Sequence, residues 1–378
     1  MAALNEEQSM IRDQAKSWVS EQSPVGKFRA LRDKGPETAF FPETWQSMVE
    51  MGWTGIIVPE AYGGSELGYL TFGLILEETG RHLTASPLFA SALVGATAVL
   101  LAGNDSQKQS VLPGIVSGEQ IVTLAIEEGP RHNPAGTALK AEKAGDGFKL
   151  SGDKTFVMEG MAATTYIVPA RTAGKAGETD GITLFLVPAD AKGISRNGMN
   201  MMDSRGYANV SFAGVEVGAD AVMGEVGQGF AVLEKILDRA RAGLCAEMHG
   251  TAAQAFDMTL DYLKTRVQFG QVIGSFQALG HRAADLYTAK ELTRSAFEAA
   301  LQAIDDDSKK VPELVALSKA RVGEYLFDMS NQLIQIHGGI GMTDEFDAGL
   351  YLKRARTLEN LFGNQGFHRE RYAQLLGF

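Results

Sequence analysis

The 378-residue chain reads as an α+β protein in three successive parts: an N-terminal α-helical domain, a small middle β-domain of barrel or sandwich type, and a C-terminal long four-helix bundle. Three observations predict this order. Apolar residues recur at helical spacing to about Gly118, the period shortens to that of half-buried strands from Glu119, and helical spacing returns beyond Val222 in unusually long segments. The expected domains are therefore 1–118, 119–222 and 223–378.

In the first part, Met10, Ile11, Ala15, Trp18 and Val19 mark one helix, and Pro42 opens a second that carries Trp45, Met48 and Val49. Phe72 to Leu76 and Leu88 to Leu101 supply two further apolar faces, and VPEAYGGSELG between Val58 and Gly68 is a turn-rich loop. The middle part alternates IVTLAI, TALKAEK, FKLSGDKTFV, TYIVPAR, ITLFLVP and ANVSFAGVEV with Gly/Asp turns. Gly145-Asp146-Gly147 and Gly152-Asp153 read as hairpin corners, since glycine accepts positive φ at no steric cost. In the last part an apolar stripe from Phe230 to Leu263 leaves Glu234, Lys235, Arg239, Glu247, Asp257 and Lys264 off its face. Helices this long need long partners, which Phe276 to Ile304 and Pro312 to His337 provide, with a shorter pattern closing the chain.

Composition excludes several classes. With 35 basic and 46 acidic side chains the formal net charge is −11, which argues against a surface devoted to nucleic acid or anionic membrane while leaving room for a local basic pocket. No uncharged apolar run spans a bilayer, MAALNEEQSMIRDQ lacks the build of a signal peptide, and the single Cys245 forms no internal disulfide and belongs to no metal-ligand cluster. A cytoplasmic protein without a bound metal is expected. The 43 glycines exceed the usual share of about 7%. They gather where a ligand-cradling reading places them: Gly63, Gly64 and Gly68; Gly227 and Gly229; Gly270 and Gly274; Gly338, Gly339 and Gly341.

Two segments carry chemistry. RVQFGQVIGSFQ (Arg266 to Gln277) puts an arginine, an aromatic and a glutamine around a glycine turn, and QIHGGIGMTDEF (Gln335 to Phe346) ends a helix in three glycines and a histidine. A simpler assignment makes Phe269 core, Arg266 a helix C-terminal charge and Gly338-Gly339 a helix stop. Together, however, the pattern R-x-x-F-G-x-x-I-x-x-x-Q followed by Q-x-x-G-G-x-G resembles the acyl-CoA dehydrogenase family, as does the α, β, bundle order. VPEAYGGSELG, LSGDKTFV and VGQGF are similar to further stretches of that family.

The resemblance implies FAD between the β-domain and the bundle, its ADP half gripped by a neighbouring subunit's bundle. It assigns Arg266, Phe269, Gln277, Gln335, Gly338 and Gly339 to that grip, and Asp238 and Arg241 to the CoA part of an acyl-CoA substrate. An arginine suits a pyrophosphate, an aromatic face suits adenine, and glycines let backbone N–H groups approach phosphate. Electron-transfer flavoprotein is the implied electron acceptor. The family reaction also needs a carboxylate base for the α-proton. The two positions where it is carried hold Gly363, in LFGNQ, and Ala240, neither of which moves a proton.

The family's T-E-P-x-x-G-S-D stretch aligns with EEGPRHNP, with Glu127 for threonine and Asn133 for serine; Phe156 and Met158 replace a tryptophan and a threonine. Residues that would hold a neighbour's flavin are kept, whereas those for the chain's own ring and proton transfer are lost. This resembles the base-deficient subunit of heteromeric acyl-CoA dehydrogenases, α2β2 tetramers acting on bulky, dicarboxylic or sterol-derived acyl-CoAs in lipid or steroid catabolism. The alternatives are a self-sufficient homotetramer, with a relocated base at Glu359, Glu247 or the Glu127, Glu128 and His132 cluster or with different chemistry, and a non-catalytic oligomerisation scaffold. His337 is expected to space the backbone of its glycine motif.

Overall fold

The computed structural model describes residues 4–35 and 39–378. Eleven α-helices are present among the described residues: α1 (Glu6–Gln22), α2 (Val25–Lys34), α3 (Pro42–Glu50), α4 (Gly68–Arg81), α5 (Ala96–Ala102), α6 (Asp105–Val116), α7 (Gly229–Thr265), α8 (Gln277–Asp305), α9 (Val311–His337), α10 (Ala348–Asn360) and α11 (Gln365–Leu375). Ten strands accompany them: β1 (Val122–Leu124), β2 (Lys140–Ala144), β3 (Gly147–Met158), β4 (Thr165–Arg171), β5 (Ile182–Pro188), β6 (Ile194–Met199), β7 (Tyr207–Val217), β8 (Val222–Met223), β9 (Val267–Gln268) and β10 (Gln271–Val272). The α+β class, with helices, then a sheet, then a bundle of long helices, is as the sequence predicts.

The chain forms two compact units, one built from Arg29–Gly68 and Ala85–Ala240, the other from Met1–Phe28, Tyr69–Thr84 and Arg241–Phe378. In the first unit, eight strands make one sheet in the order β6-β7-β3-β2-β4-β5-β8, with β1 beside β4. Alternation buries Phe148, Leu150, Val157, Val168, Phe185, Val210 and Phe212 in one core, where Phe148 meets Phe185 edge to face at 5.2 Å. Gly145 and Asp146 turn β2 into β3 as expected, with Gly145 at φ 58°. Gly152-Asp153 is not a corner. It lies inside β3, where a Cβ on Gly152 would come within 3.0 Å of Leu139 Cα, so this glycine serves close strand approach. The segment Leu88–Gly95 is a fully buried π-helical turn leading into α5.

The second unit holds the bundle. α1 starts with a capping box between Asn5 and Gln8 and buries Ala15, Trp18 and Val19, whereas Met10 at its amino-terminal end is 72% exposed. α7 is 37 residues long, and α8, α10 and α11 pack on α9. Helix α4 approaches α7 backbone to backbone: a Cβ on Gly250 would lie 1.9 Å from the Glu77 carbonyl oxygen, and one on Gly80 2.3 Å from that of Glu247. Such contact brings charges inside. Glu247, expected on a solvated or intersubunit face, is buried and accepts from the Arg354 guanidinium at 2.6 Å. Glu77 is buried against Arg294 and His249. No described helix is long and apolar enough to cross a membrane.

Candidate functional site

The RVQFG segment folds as a two-residue hairpin joining α7 to α8. β9 pairs antiparallel with β10, and the turn residues Phe269 and Gly270 both have positive φ, 53° and 78°. That is the geometry of a type I′ turn, natural for glycine but costing about 1–2 kcal/mol for a phenylalanine. The strain is spent on display: Phe269 is 92% exposed, touching Phe276 edge to face at 6.2 Å, and so is not a core residue.

Beneath the hairpin lies a cavity of about 350 Å³ lined by Tyr262, Arg266, Gln268, Phe269, Ile273, Phe276, Leu279, Arg282, Gln335, Ile336 and His337. Its floor is a small apolar cluster of Leu263, Ile273 and Ile336. The structure thus brings Arg266, Phe269 and Gln335 together from two distant segments. Gln277 is exposed at the first turn of α8, and Gly338 and Gly339 follow the end of α9, where an added Cβ would meet no atom within 4 Å. Gly338 adopts φ 62°, ψ −135°, a conformation open essentially to glycine alone.

His337 is more than a spacer. Its ring stacks on Tyr262 at 4.2 Å and leans on Phe346, its Nδ1 donates to the Leu333 carbonyl at 2.7 Å, and its buried Nε2 has no hydrogen-bond partner. Burial lowers its pKa, so the ring is neutral near pH 7.

The two positions where the family resemblance puts a base look different. Ala240 is fully buried. Gly363 is buried at φ 101°, and a Cβ there would lie 2.5 Å from Phe367 Cδ1 and 2.9 Å from His368 Nε2, so the turn leaves no room for a side chain. Three buried nitrogens hold that turn. Lys319 Nζ donates to the carbonyls of Glu359 and Gly363 at 3.1 and 2.9 Å, and Arg241 Nε and His368 Nε2 donate to the Phe362 carbonyl at 3.3 and 3.0 Å. Arg241 has no exposed surface, and Asp238 is buried. The carboxylate of Glu359 pairs with Arg356 at 3.3 Å.

The EEGPRHNP loop is tied within itself and to its neighbours. His132 Nδ1 and Glu127 Oε1 are 2.5 Å apart, Glu128 accepts from the buried Lys154 at 2.6 Å and from the Ala138 amide at 2.7 Å, and Asn133 Oδ1 accepts from the Gly136 amide at 3.2 Å. A cavity of about 270 Å³ lies against Glu127, Arg131 and Asn133. Phe156 sits at φ 51° and is partly exposed, whereas Met158 is buried.

Sequence reasoning missed Lys319, Arg282 and Glu77. Each is a charge within a helix, and only the tertiary fold reveals that Lys319 and Glu77 point inward and that Arg282 lines the cavity. For Arg282 a signal existed, since it follows the FQ end of the first motif.

The chemistry of the bundle cavity fits one half of a flavin dinucleotide. It offers two guanidiniums, an exposed aromatic face, two amides and an unsatisfied imidazole nitrogen, with no carboxylate in its lining. Comparisons with known proteins identify the family of the chain as a whole. Sequence models of the acyl-CoA dehydrogenase N-terminal, middle and C-terminal domains match residues 5–119, 127–217 and 227–377. A probable acyl-CoA dehydrogenase of Bacillus subtilis, YngJ, is 31% identical over 363 residues, covering 94% of each chain. Among solved structures, a Tcur3481-Tcur3483 steroid acyl-CoA dehydrogenase variant superposes with a TM-score of 0.88 at 29% identity, covering 98% of both chains. The ChsE4-ChsE5 complex of Mycobacterium tuberculosis superposes with a TM-score of 0.90 at 25% identity, covering 100% of this chain and 99% of that one. With all three domain models matched in order and FAD the cofactor the family implies, the chain belongs to the acyl-CoA dehydrogenase family of oxidoreductases.

Proposed function

We propose that this chain is one subunit of a heteromeric, FAD-dependent acyl-CoA dehydrogenase, an α2β2 tetramer in which it completes the flavin site of a homologous partner and leaves proton abstraction to that partner. One contrast carries the reading. Arg266, Phe269, Gln277, Gln335, Gly338 and Gly339, the residues suited to another subunit's flavin, are all exposed, whereas Ala240 and Gly363, where a base would stand, are buried and filled. Two relatives of similar fold carry names that pair two chains, Tcur3481-Tcur3483 and ChsE4-ChsE5, and the former is named a steroid enzyme. The substrate class proposed is accordingly a bulky acyl-CoA, with electron-transfer flavoprotein as acceptor, a cytoplasmic setting, and 1–118, 119–222 and 223–378 as the three domains.

Bound FAD would supply the acceptor for the β-hydrogen of the acyl thioester. This chain's share is binding. Arg266 supplies a fixed, delocalised cation for phosphate, Phe269 a flat apolar face for the adenine ring, and the Gln335 amide a hydrogen bond to its polar edge. The Gly338 N–H closes α9 on the Ile334 carbonyl, and Gly338 and Gly339, with no atom near an added Cβ, let a phosphate approach the backbone closely. At the other end, Lys319, Arg241 and His368 hold the Gly363 turn, and no carboxylate stands at Gly363 itself.

The test is flavin content. Purified alone the chain carries little FAD, whereas co-purification with a glutamate-bearing homologous subunit yields a yellow complex that oxidises an acyl-CoA. A flavin-saturated homotetramer that dehydrogenates acyl-CoA unaided would overturn the reading. The Glu127–His132 pair, a carboxylate against an imidazole beside its own cavity, favours a second reading, a self-sufficient enzyme with a relocated base. Under that reading Glu127→Gln abolishes turnover by the homomer. Absence of flavin in every assembly would leave the scaffold reading.

A further inference from the structure

We propose that Arg282 is a second phosphate-binding group of the bundle cavity, and that the pair Arg266 and Arg282 makes this cavity select a diphosphate over a monophosphate nucleotide. This rests on the reading of the cavity as a nucleotide site and goes beyond the sequence motif, which contains Arg266 alone.

The chain carries 46 acidic side chains against 35 basic ones, so a surface arginine has carboxylates to pair with almost everywhere. Arg321, Arg356 and Arg369 each do so on this unit. Arg266, at the end of α7, and Arg282, in the second turn of α8, are both exposed on one cavity of about 350 Å³ that has no carboxylate in its lining. Two like charges over one concavity repel each other, and the repulsion is relieved when an anion of matching charge enters. A guanidinium saturates one phosphate with a bidentate pair, so two guanidiniums match two linked phosphates better than one.

The rest of the lining agrees with a nucleotide. Phe269 offers a ring face 92% exposed, and Gln335 offers both a donor and an acceptor. The arginines also stand on a fixed base. Leu263, Ile273 and Ile336 form a buried cluster under the cavity, with Phe276 and Leu279 of the α8 start packed against it, so both cations are mounted on one small core.

The experiment uses the full chain freed of flavin and isothermal titration with ADP and AMP at low ionic strength. The unaltered chain binds ADP about tenfold or more tighter than AMP, the difference one charge-assisted pair supplies. In Arg282→Gln that ratio falls to near one while AMP binding is kept, Arg282→Lys restores part of it, and FAD, followed by its fluorescence, binds about tenfold more weakly than to the unaltered chain. Unchanged melting temperatures exclude a folding effect, as an exposed side chain without an ion pair allows. An undiminished ADP preference in Arg282→Gln overturns the role of Arg282 alone. Failure of the unaltered chain to bind either nucleotide overturns the nucleotide reading of the cavity along with it.

Discussion

Lys319 Nζ donates to the carbonyl of Gly363 at 2.9 Å, joining the middle of α9 to the turn after α10. The same amine reaches the Glu359 carbonyl at 3.1 Å, and Phe362, at φ 54°, receives Arg241 and His368. A helix end that would otherwise leave buried carbonyls orphaned is satisfied by donors from α7, α9 and α11. The cost is a buried ammonium, whose pKa burial lowers to about 8.

Replacing Lys319 by Met removes the donors and the desolvation cost together, so we expect a moderate loss, about 1–3 kcal/mol, from carbonyls left unpaired. The pH dependence is the sharper readout. Lys319 falls to about 8 from 10.5 on folding, so between those values the unfolded chain binds more protons and this group makes stability rise with pH. Urea unfolding at pH 8 and pH 9.5 should show Lys319→Met lacking that rise relative to the unaltered chain. Equal slopes would contradict the assignment.

Substitution at Gly363 cannot rebuild a base. Positive φ and the contacts with Phe367 and His368 oppose any Cβ, and Gly363→Ala should lose about 1–3 kcal/mol. Gly363→Glu should be at least as unstable and leave the chain alone, supplied with excess FAD and an acceptor dye, without acyl-CoA oxidation, read by the dye's absorbance. Activity gained by Gly363→Glu would show that the turn opens.

Phe269 trades stability for exposure. Phe269→Gly should relieve left-handed strain and raise unfolding stability by up to about 1 kcal/mol, while weakening FAD binding at least severalfold through loss of the ring face. Thermal melts and fluorescence titration on one preparation separate the two effects. A glycine variant that is less stable and binds FAD normally would assign Phe269 to structure.

Glu77 is raised to about 7 because burial outweighs the adjacent Arg294, with Glu78 and Glu298 adding to the rise and Arg81 opposing it. Its folded pKa exceeds the ordinary 4.5, so the folded state binds more protons between those values, and this contribution to stability is lost as pH climbs from 4.5 to 7. His249, lowered by burial, acts in the opposite direction. Glu77→Gln, which mimics the protonated acid, should therefore show stability rising more steeply with pH over this range than the unaltered chain. Parallel profiles would mean that Glu77 is ionised throughout.

The periodic parts of the fold were legible in the sequence because burial follows the period: α7, α8, α9 and the strands β3, β4, β5 and β7 all fall on predicted runs. Gly152 misled because a glycine before an aspartate looks the same in a turn and in a strand that another backbone grazes. The exposed half of the site was legible through its motif, since arginine, phenylalanine and glycine at fixed spacing mean little unless displayed together. The buried half was not. Nothing in SKARVG distinguishes Lys319 from a solvated helix lysine, because only the turn after α10 covers it, and nothing in LEETGR shows Glu77 facing inward, because only the close passage of α4 and α7 at Gly80 and Gly250 encloses that face.

Arg266 of this chain, on the reading proposed above, serves a flavin belonging to another subunit. The most direct measurement is flavin stoichiometry, by absorbance, in the complex of Arg266→Gln with its glutamate-bearing partner, compared with the unaltered complex. Most bound FAD should be lost with the oligomer intact by size-exclusion chromatography. Full flavin occupancy in that variant complex would contradict it.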